Sequence, residues 1–459
     1  MAADPRLKNL RGSGRRDFLR WSTVAAAALG LERANFLNVL NDSGGSAMAD
    51  AVSGSTTMKS VHLIGDNGGL SWFTQLFPYP TIAKAGASGS AYYSTPSTTT
   101  AAPTDRPAVY SPDSPFQKLS KAKQMSVFVC GTNETHTKTP TSALSMGTSN
   151  LLAVASSIQT ATPSLLPVMA INPFSFGTAQ GAQAPATVAN AAGLVDLFNS
   201  AASQTLLAQP ANAALAESYI KAILDLNAAS QRVSTQTAYA TGRVATNLLA
   251  KNLASQLSVT AADMIRYGMD SSTPTTITEI GSAMCTAVKA FALGLTNCLI
   301  LPAMQDDPHG AFADVSTLNS NVKTLGAIFD AFMADCMALP DPSGGSDTLG
   351  DNVVITISGD TPKDALTASG WPDSTASNHN LLYVMGNGYL KTGWFGDLGT
   401  DGTLTTWDPN TGAAGTMTSA QLSLYGTSAA AYAIAKGDPR QVANFGGTAP
   451  PAAIVLQTT

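Results

Sequence analysis

The chain has 459 residues, of which 12% are charged, and a formal net charge of -5. That length accommodates about three domains, or one large α/β domain carrying an insertion, and the charge content lies well below the roughly 25% of an ordinary soluble protein. No basic patch stands out, so nucleic acid is not an expected partner, and the polar surface must come mainly from Ser, Thr, Asn and Gln.

In chain order, residues 14–20, GRRDFLR, precede a short apolar stretch, WSTVAAAALGL. A basic region before a brief apolar run has the form of an export signal. The run is far shorter than the roughly 20 apolar residues of a membrane span. Arg15 and Arg16, followed by Phe18 and Leu19, resemble a twin-arginine signal, which implies export of a folded protein to the periplasm or beyond. The twin-arginine export machinery is then the expected partner, with an unidentified envelope protein left open. Ala47-Met48-Ala49 is the expected cleavage site, and an uncut signal would retain the protein at the envelope.

Beyond residue 50, SVHLI (60–64) predicts a strand ending in the turn-forming GDNGG. His62 alternates with apolar neighbours and is expected to be a satisfied sheet histidine. Residues 80–115, rich in Pro, Ser and Thr, predict a long loop. MSVFVCG (125–131) and SLLPVMAINP (164–173) predict further strands. From Gly193 to about Asn297 apolar residues recur at spacings of three and four, which predicts helices. After NCLILPAM, a strand, the segment VSTLNSNVKTLGAIFDAFMADCMAL predicts a helix with Val322, Leu325, Ile328, Phe329 and Phe332 on one face. DNVVITISGD (351–360) and HNLLYVMGNG (379–388) predict strands, and SAQLSLYGTSAAAYAIAKG (419–437) a final helix capped by Gly437. The expected fold class is α/β, a doubly wound and mainly parallel sheet with a helical insertion. Its expected divisions are 1–49 (signal and linker), 50–192 (first part of the core), 193–277 (insertion) and 278–459 (second part of the core).

Cys130, Cys285, Cys298 and Cys336 form no CxxC pair, so no thiolate zinc site is signalled. They are expected as buried free thiols, with one or two disulfides left open by export.

Chemistry collects at predicted strand ends. Asp66 follows the first strand, Thr135 and His136 follow MSVFVCG, Asp307 and His309 follow NCLILPAM, Asp360 follows DNVVITISG, and His379 opens HNLLYV. In an open parallel sheet the carboxyl ends of the strands face one crevice, where such folds bind ligands. Mixed Asp and His ligation suits zinc or another first-row divalent ion, and carboxylates alone suit magnesium or calcium. Asp66, Asp307, His309, Asp360 and His379 are therefore the candidate metal ligands, with Thr135 and His136 as candidate catalytic groups. Each also has a structural reading, since DNGG and DDPHG make good turns. No GxSxG elbow and no nucleotide-type glycine loop is present.

The order of these segments resembles the DUF1501 family, exported proteins of the alkaline phosphatase/sulfatase-like superfamily. The region VHLIGDNGGLSWFTQLFPYP echoes the family's opening strand and glycine loop. THT at 135–137, DDPHGAF, SGDTPKD, SNHNLLYVMGNG and KTGWFGDLG echo its later motifs in order. The resemblance implies an alkaline phosphatase-like sheet with zinc, manganese or calcium at the strand ends. It depends on matching Asp66, Asp307, His309, Asp360 and His379 to the family's acidic and histidine positions. The family's Glu and Arg are missing from SGDTPKD, and Asn378 and Asn380 flank His379 where the family has Asp and Gly. These losses point to an exported binding or cell-envelope protein with a degenerate fold; the alternative is a metal-dependent phosphate- or sulfate-ester hydrolase.

Overall fold

The computed structural model describes residues 57–77, 79–81, 125–197, 221, 225, 253–305, 315–343, 345–360, 362, 379–399 and 403–456. The strands in chain order are β1 (Lys59–Gly65), β2 (Met125–Cys130), a hairpin of β3 (Ser145–Met146) and β4 (Ser149–Asn150), β5 (Leu166–Ile171), β6 (Ala186–Val188), β7 (Thr296–Pro302), β8 (Val353–Gly359), β9 (Asn380–Met385), β10 (Gly393–Phe395), β11 (Asp397–Leu398), β12 (Leu404–Trp407) and β13 (Ala414–Gly415). The helices are α1 (Ser71–Leu76), α2 (Leu151–Gln159), α3 (Ala191–Leu197), α4 (Leu253–Leu257), α5 (Ala261–Arg266), α6 (Thr275–Ala292), α7 (Val315–Ala338), α8 (Ser419–Ile434) and α9 (Pro439–Ala443).

Eight strands form one sheet in the order β10-β2-β9-β8-β1-β7-β5-β6. Its pairs are parallel except at β9, which runs against both β2 and β8. The expected mainly parallel α/β sheet is thus present, with β9 reversed. β1, β2, β8 and β9 are buried at every position, as strands covered on both faces must be. Successive residues of β9 locate the covers, because neighbouring side chains point to opposite faces. Leu382 lies beside Gly426 of α8, whereas the ring of Tyr383 lies 6.4 Å from that of Phe73 in α1. Phe73 in turn meets Phe329 of α7 edge-on at 6.2 Å. Helices α2 and α8 pack together on one face, and α6 and α7 pack together.

The helix over 315–338 has the expected apolar face, with Val322, Leu325, Ile328, Phe329 and Phe332 all buried. Helix α8 ends in a left-handed turn made by Lys436 (φ 52°) and Gly437 (φ 84°), and the Gly437 amide donates to the Tyr432 carbonyl. Of the expected insertion, α3, α4 and α5 are described, and residues 198–252 lie outside the described residues except for helical Lys221 and Asp225. Helix α6 packs against β7 and α7, which makes it part of the core. The loop expected over 80–115 and the signal at 1–49 lie outside the described residues, apart from Pro80 and Thr81. Among the described residues no helix is long and apolar enough to cross a membrane.

His62 is fully buried in β1, between the Ser60 hydroxyl at 2.9 Å on Nε2 and the Thr356 hydroxyl at 2.7 Å on Nδ1. Burial pushes its pKa down to about 3, so the ring is neutral. This is the satisfied sheet histidine that the alternation predicts. All four cysteines are buried free thiols. Burial raises the thiol pKa to about 12 at Cys298 and about 11 at Cys285, so neither is a reactive thiolate.

Candidate functional site

Reversal of β9 decides what lies at the carboxyl edge of the sheet. In the register of β2 with β9, Asn380 stands opposite Cys130, so β9 begins where β2 ends. His379 therefore sits at the same edge as Asp66 after β1 and Asp360 after β8. A parallel β9 would have carried His379 to the opposite edge.

At this edge the strand ends are tied to each other by backbone. The Asp66 amide donates to the Met304 carbonyl at 3.0 Å, and the Asp360 amide to Gly65 at 3.0 Å. Asp66 opens a turn closed by the Gly69 amide at 2.8 Å, with Asn67 (φ 53°) and Gly68 (φ 98°) both in the left-handed region. An Asn-Gly pair is suited to such a turn. The glycines also permit close approach: a side chain at Gly69 would collide with the Met304 carbonyl, and one at Gly359 with the Gly65 carbonyl.

The Asp360 side chain is fully buried, and its Oδ2 accepts from the Gly68 amide. Its carbonyl accepts from the Asn380 side chain at 2.6 Å and from the Glu134 amide at 3.2 Å. His379 is fully buried, its Nε2 sharing a 3.1 Å hydrogen bond with the Tyr79 hydroxyl and its ring edge-on to that of Tyr79. Tyr79 packs against Trp394 with centroids 4.8 Å apart and the rings tilted by 36°. Thr135 and His136 lie exposed in the turn after β2, His136 at φ 49°. That turn meets the first one, since the Asn67 amide donates to the Thr137 carbonyl at 3.2 Å.

Comparison with family models, with curated proteins and with solved structures yields no match.

Asp66, Asp360 and His379 thus share one sheet edge, and the turn with Thr135 and His136 adjoins it. Asp307 and His309 lie outside the described residues; the chain leaves β7 toward them from this same edge, at Gln305. Among the described residues no group of three or more His, Cys, Asp or Glu side chains is placed to hold a metal. Oδ2 of Asp360 already serves Gly68, and Nε2 of His379 already serves Tyr79.

Two residues at this edge escape the sequence patterning. Glu134 accepts from the Thr141 and Ser142 amides at 2.9 and 2.8 Å, fixing the turn between β2 and β3. Its position two residues from His136, just after a strand, was the available signal. Tyr79 carried no such signal, because its role depends on a partner 300 residues away.

Proposed function

We propose that this chain is a divergent member of the DUF1501 family, exported by the twin-arginine pathway, with a degenerate alkaline phosphatase-like fold that works as a non-catalytic binding or envelope protein. One observation carries the reading. Two of the three candidate ligands at the described edge are engaged within the protein: Oδ2 of the buried Asp360 holds the Gly68 amide, and Nε2 of the buried His379 shares a hydrogen bond with Tyr79. A carboxylate and an imidazole committed in this way hold neighbouring loops together. The mixed sheet with helices on both faces and the order of the sequence motifs support membership. The arginine pair at 15–16 supports export.

The second reading is a hydrolase of phosphate or sulfate esters. Convergence of Asp66, Asp360 and His379 on the edge from which residues 306–309 depart favours it. A bound divalent ion would supply polarisation of the ester and activation of a hydroxyl or water. Metal content of the protein, purified from the exported fraction without chelator, separates the two. The binding reading expects well under one equivalent of zinc, manganese or calcium and no turnover of p-nitrophenyl phosphate or sulfate. One or two equivalents, lost together with turnover in His309→Ala, would replace it with the hydrolase.

A further inference from the structure

A line of buried polar side chains crosses the face of the sheet beneath α2 and leads toward the candidate edge. Gln159 of α2, Ser60 and His62 of β1, and Thr356 and Ser358 of β8 are all buried. Residues two apart on a strand share a face, so Ser358 stands beside Thr356 on the side that carries His62. Buried polar groups require partners, and here the partners can be followed proton by proton.

The Gln159 amide nitrogen meets the Met58 carbonyl at 2.8 Å, the Asn297 carbonyl at 3.0 Å and the Ser60 hydroxyl at 3.0 Å. Its two protons go to the carbonyls, which can only accept. Ser60 must then place its own proton, either on Gln159 Oε1 at 3.3 Å or on His62 Nε2 at 2.9 Å. The Cys298 thiol also meets Ser60, but a thiol is too weak an acceptor to compete. The shorter contact directs the proton to Nε2. The ring is neutral, so Nδ1 carries the ring proton and donates to the Thr356 hydroxyl at 2.7 Å. Thr356 accepts there and retains a proton of its own, and its hydroxyl has no other hydrogen bond among the described residues. The Ser358 hydroxyl has no partner among them. Ile64, its register partner in β1, is apolar and offers none.

We propose that one ordered water molecule is bound between Thr356 and Ser358. Two residues of strand rise about 6.6 Å, and two hydrogen bonds of about 2.8 Å through a single water span the gap between their hydroxyls. The water accepts from Thr356 and bonds to Ser358, which satisfies both groups, the usual work of buried water. It also selects the tautomer of His62. Without it, Thr356 turns its proton to Nδ1, the ring proton moves to Nε2, and Ser60 turns to Gln159 Oε1. The column thus has two complete proton arrangements, and a site two residues from Asp360 chooses between them. The inference does not depend on metal content or on the function of the edge.

The test has two parts, both on the full chain. A high-resolution crystal structure is expected to show a water within hydrogen-bond distance of both hydroxyls, and its absence overturns the proposal. Nitrogen-15 NMR of histidine-labelled protein, with His62 assigned from His62→Gln, is expected to show the neutral Nδ1–H ring. In Ser358→Val, whose methyls fill the place of the water, the two ring-nitrogen shifts are expected to exchange as the ring becomes Nε2–H. An Nε2–H ring in the parent, or an unchanged tautomer in folded Ser358→Val, overturns the proposal. If that variant does not fold, the crystal structure and the parent spectrum decide.

Discussion

Lys59 opens β1 with its ammonium 2.6 Å from Asp341 Oδ1, and both side chains are 1% exposed. Burial opposes the charge on each, and each partner restores the charge of the other. Such a pair contributes little net stability compared with apolar residues of similar volume, but breaking it strands a buried charge. Asp341→Ala is therefore expected to cost about 3–5 kcal/mol, measured by urea unfolding, and Lys59→Met/Asp341→Leu to recover most of that loss. If the single variant unfolds like the parent, the pair is not buried in solution. At the candidate edge, Gly359→Ala places a methyl against the Gly65 carbonyl. Separation of β8 from β1 should then cost on the order of 1–3 kcal/mol, read from the Tm. Neither effect is legible in the sequence: Lys59 and Asp341 are 282 positions apart, and a glycine needed for close approach looks like one needed for a turn.

Helices α5, α6 and α7 meet through one charged cluster in a chain that has few charges. Asp263 accepts from Arg266 at 2.7 Å and from Lys289 at 2.7 Å, and Arg266 also reaches Asp335 at 2.9 Å. Burial works against the Asp263 charge, yet hydrogen bonds from Lys289, Thr260 and Arg266 hold its carboxyl far below the usual range. Asp263 also completes the capping box with Thr260 at the start of α5. Asp263→Ala removes the carboxylate half of the capping box, which accepts from the Thr260 amide and hydroxyl, and leaves Lys289 with the Ser258 carbonyl. A loss of about 1–2 kcal/mol is expected, together with faster limited proteolysis between residues 253 and 270; proteolysis at the parental rate would refute the clamp.

Elements of this kind were unevenly legible in the sequence. Near-continuous β-branched and apolar runs marked β7 and β8, because burial on both faces leaves that signature, and SVHLI marked β1. HNLLYV was legible as a strand but not as a reversed one, since direction depends on partners far away in the chain. That reversal brings His379 to the candidate edge. Short strands such as β11 (2 residues) and β13 (2 residues) are too brief for any periodic signal.

At the scale of the whole molecule, acid should be the weak side of the stability profile. His62 has a folded pKa of about 3 against an ordinary 6.5, so the unfolded chain binds its proton first. Its contribution is complete above pH 6.5 and is lost as the pH falls from there toward 3. The loss amounts to about 3 kcal/mol by about pH 4. Asp263 and Asp341, both lowered from 3.8, extend the decline below that value. Urea midpoints measured from pH 7.5 to 4 should fall steadily in the parent, and the part of the slope between 6.5 and 4 should be missing in His62→Gln. An identical slope in that variant would mean that the ring is hydrated in the folded state.

The reversed strand also governs the order in which the sheet can be completed. The sheet neighbours of β2 are β9 and β10, and the residues of β9 that pair with it arrive roughly 250 positions later in the chain. During synthesis β2 is therefore an apolar strand with both edges open until most of the polypeptide has emerged. Pairings that distant form slowly, and an unpaired strand edge invites association with other chains. Insertion of β9 between β2 and β8, and addition of β10 on the far side of β2, await residues 380–395. Ribosome-bound chains halted before residue 380 should depend heavily on chaperones, and those halted after residue 399 much less.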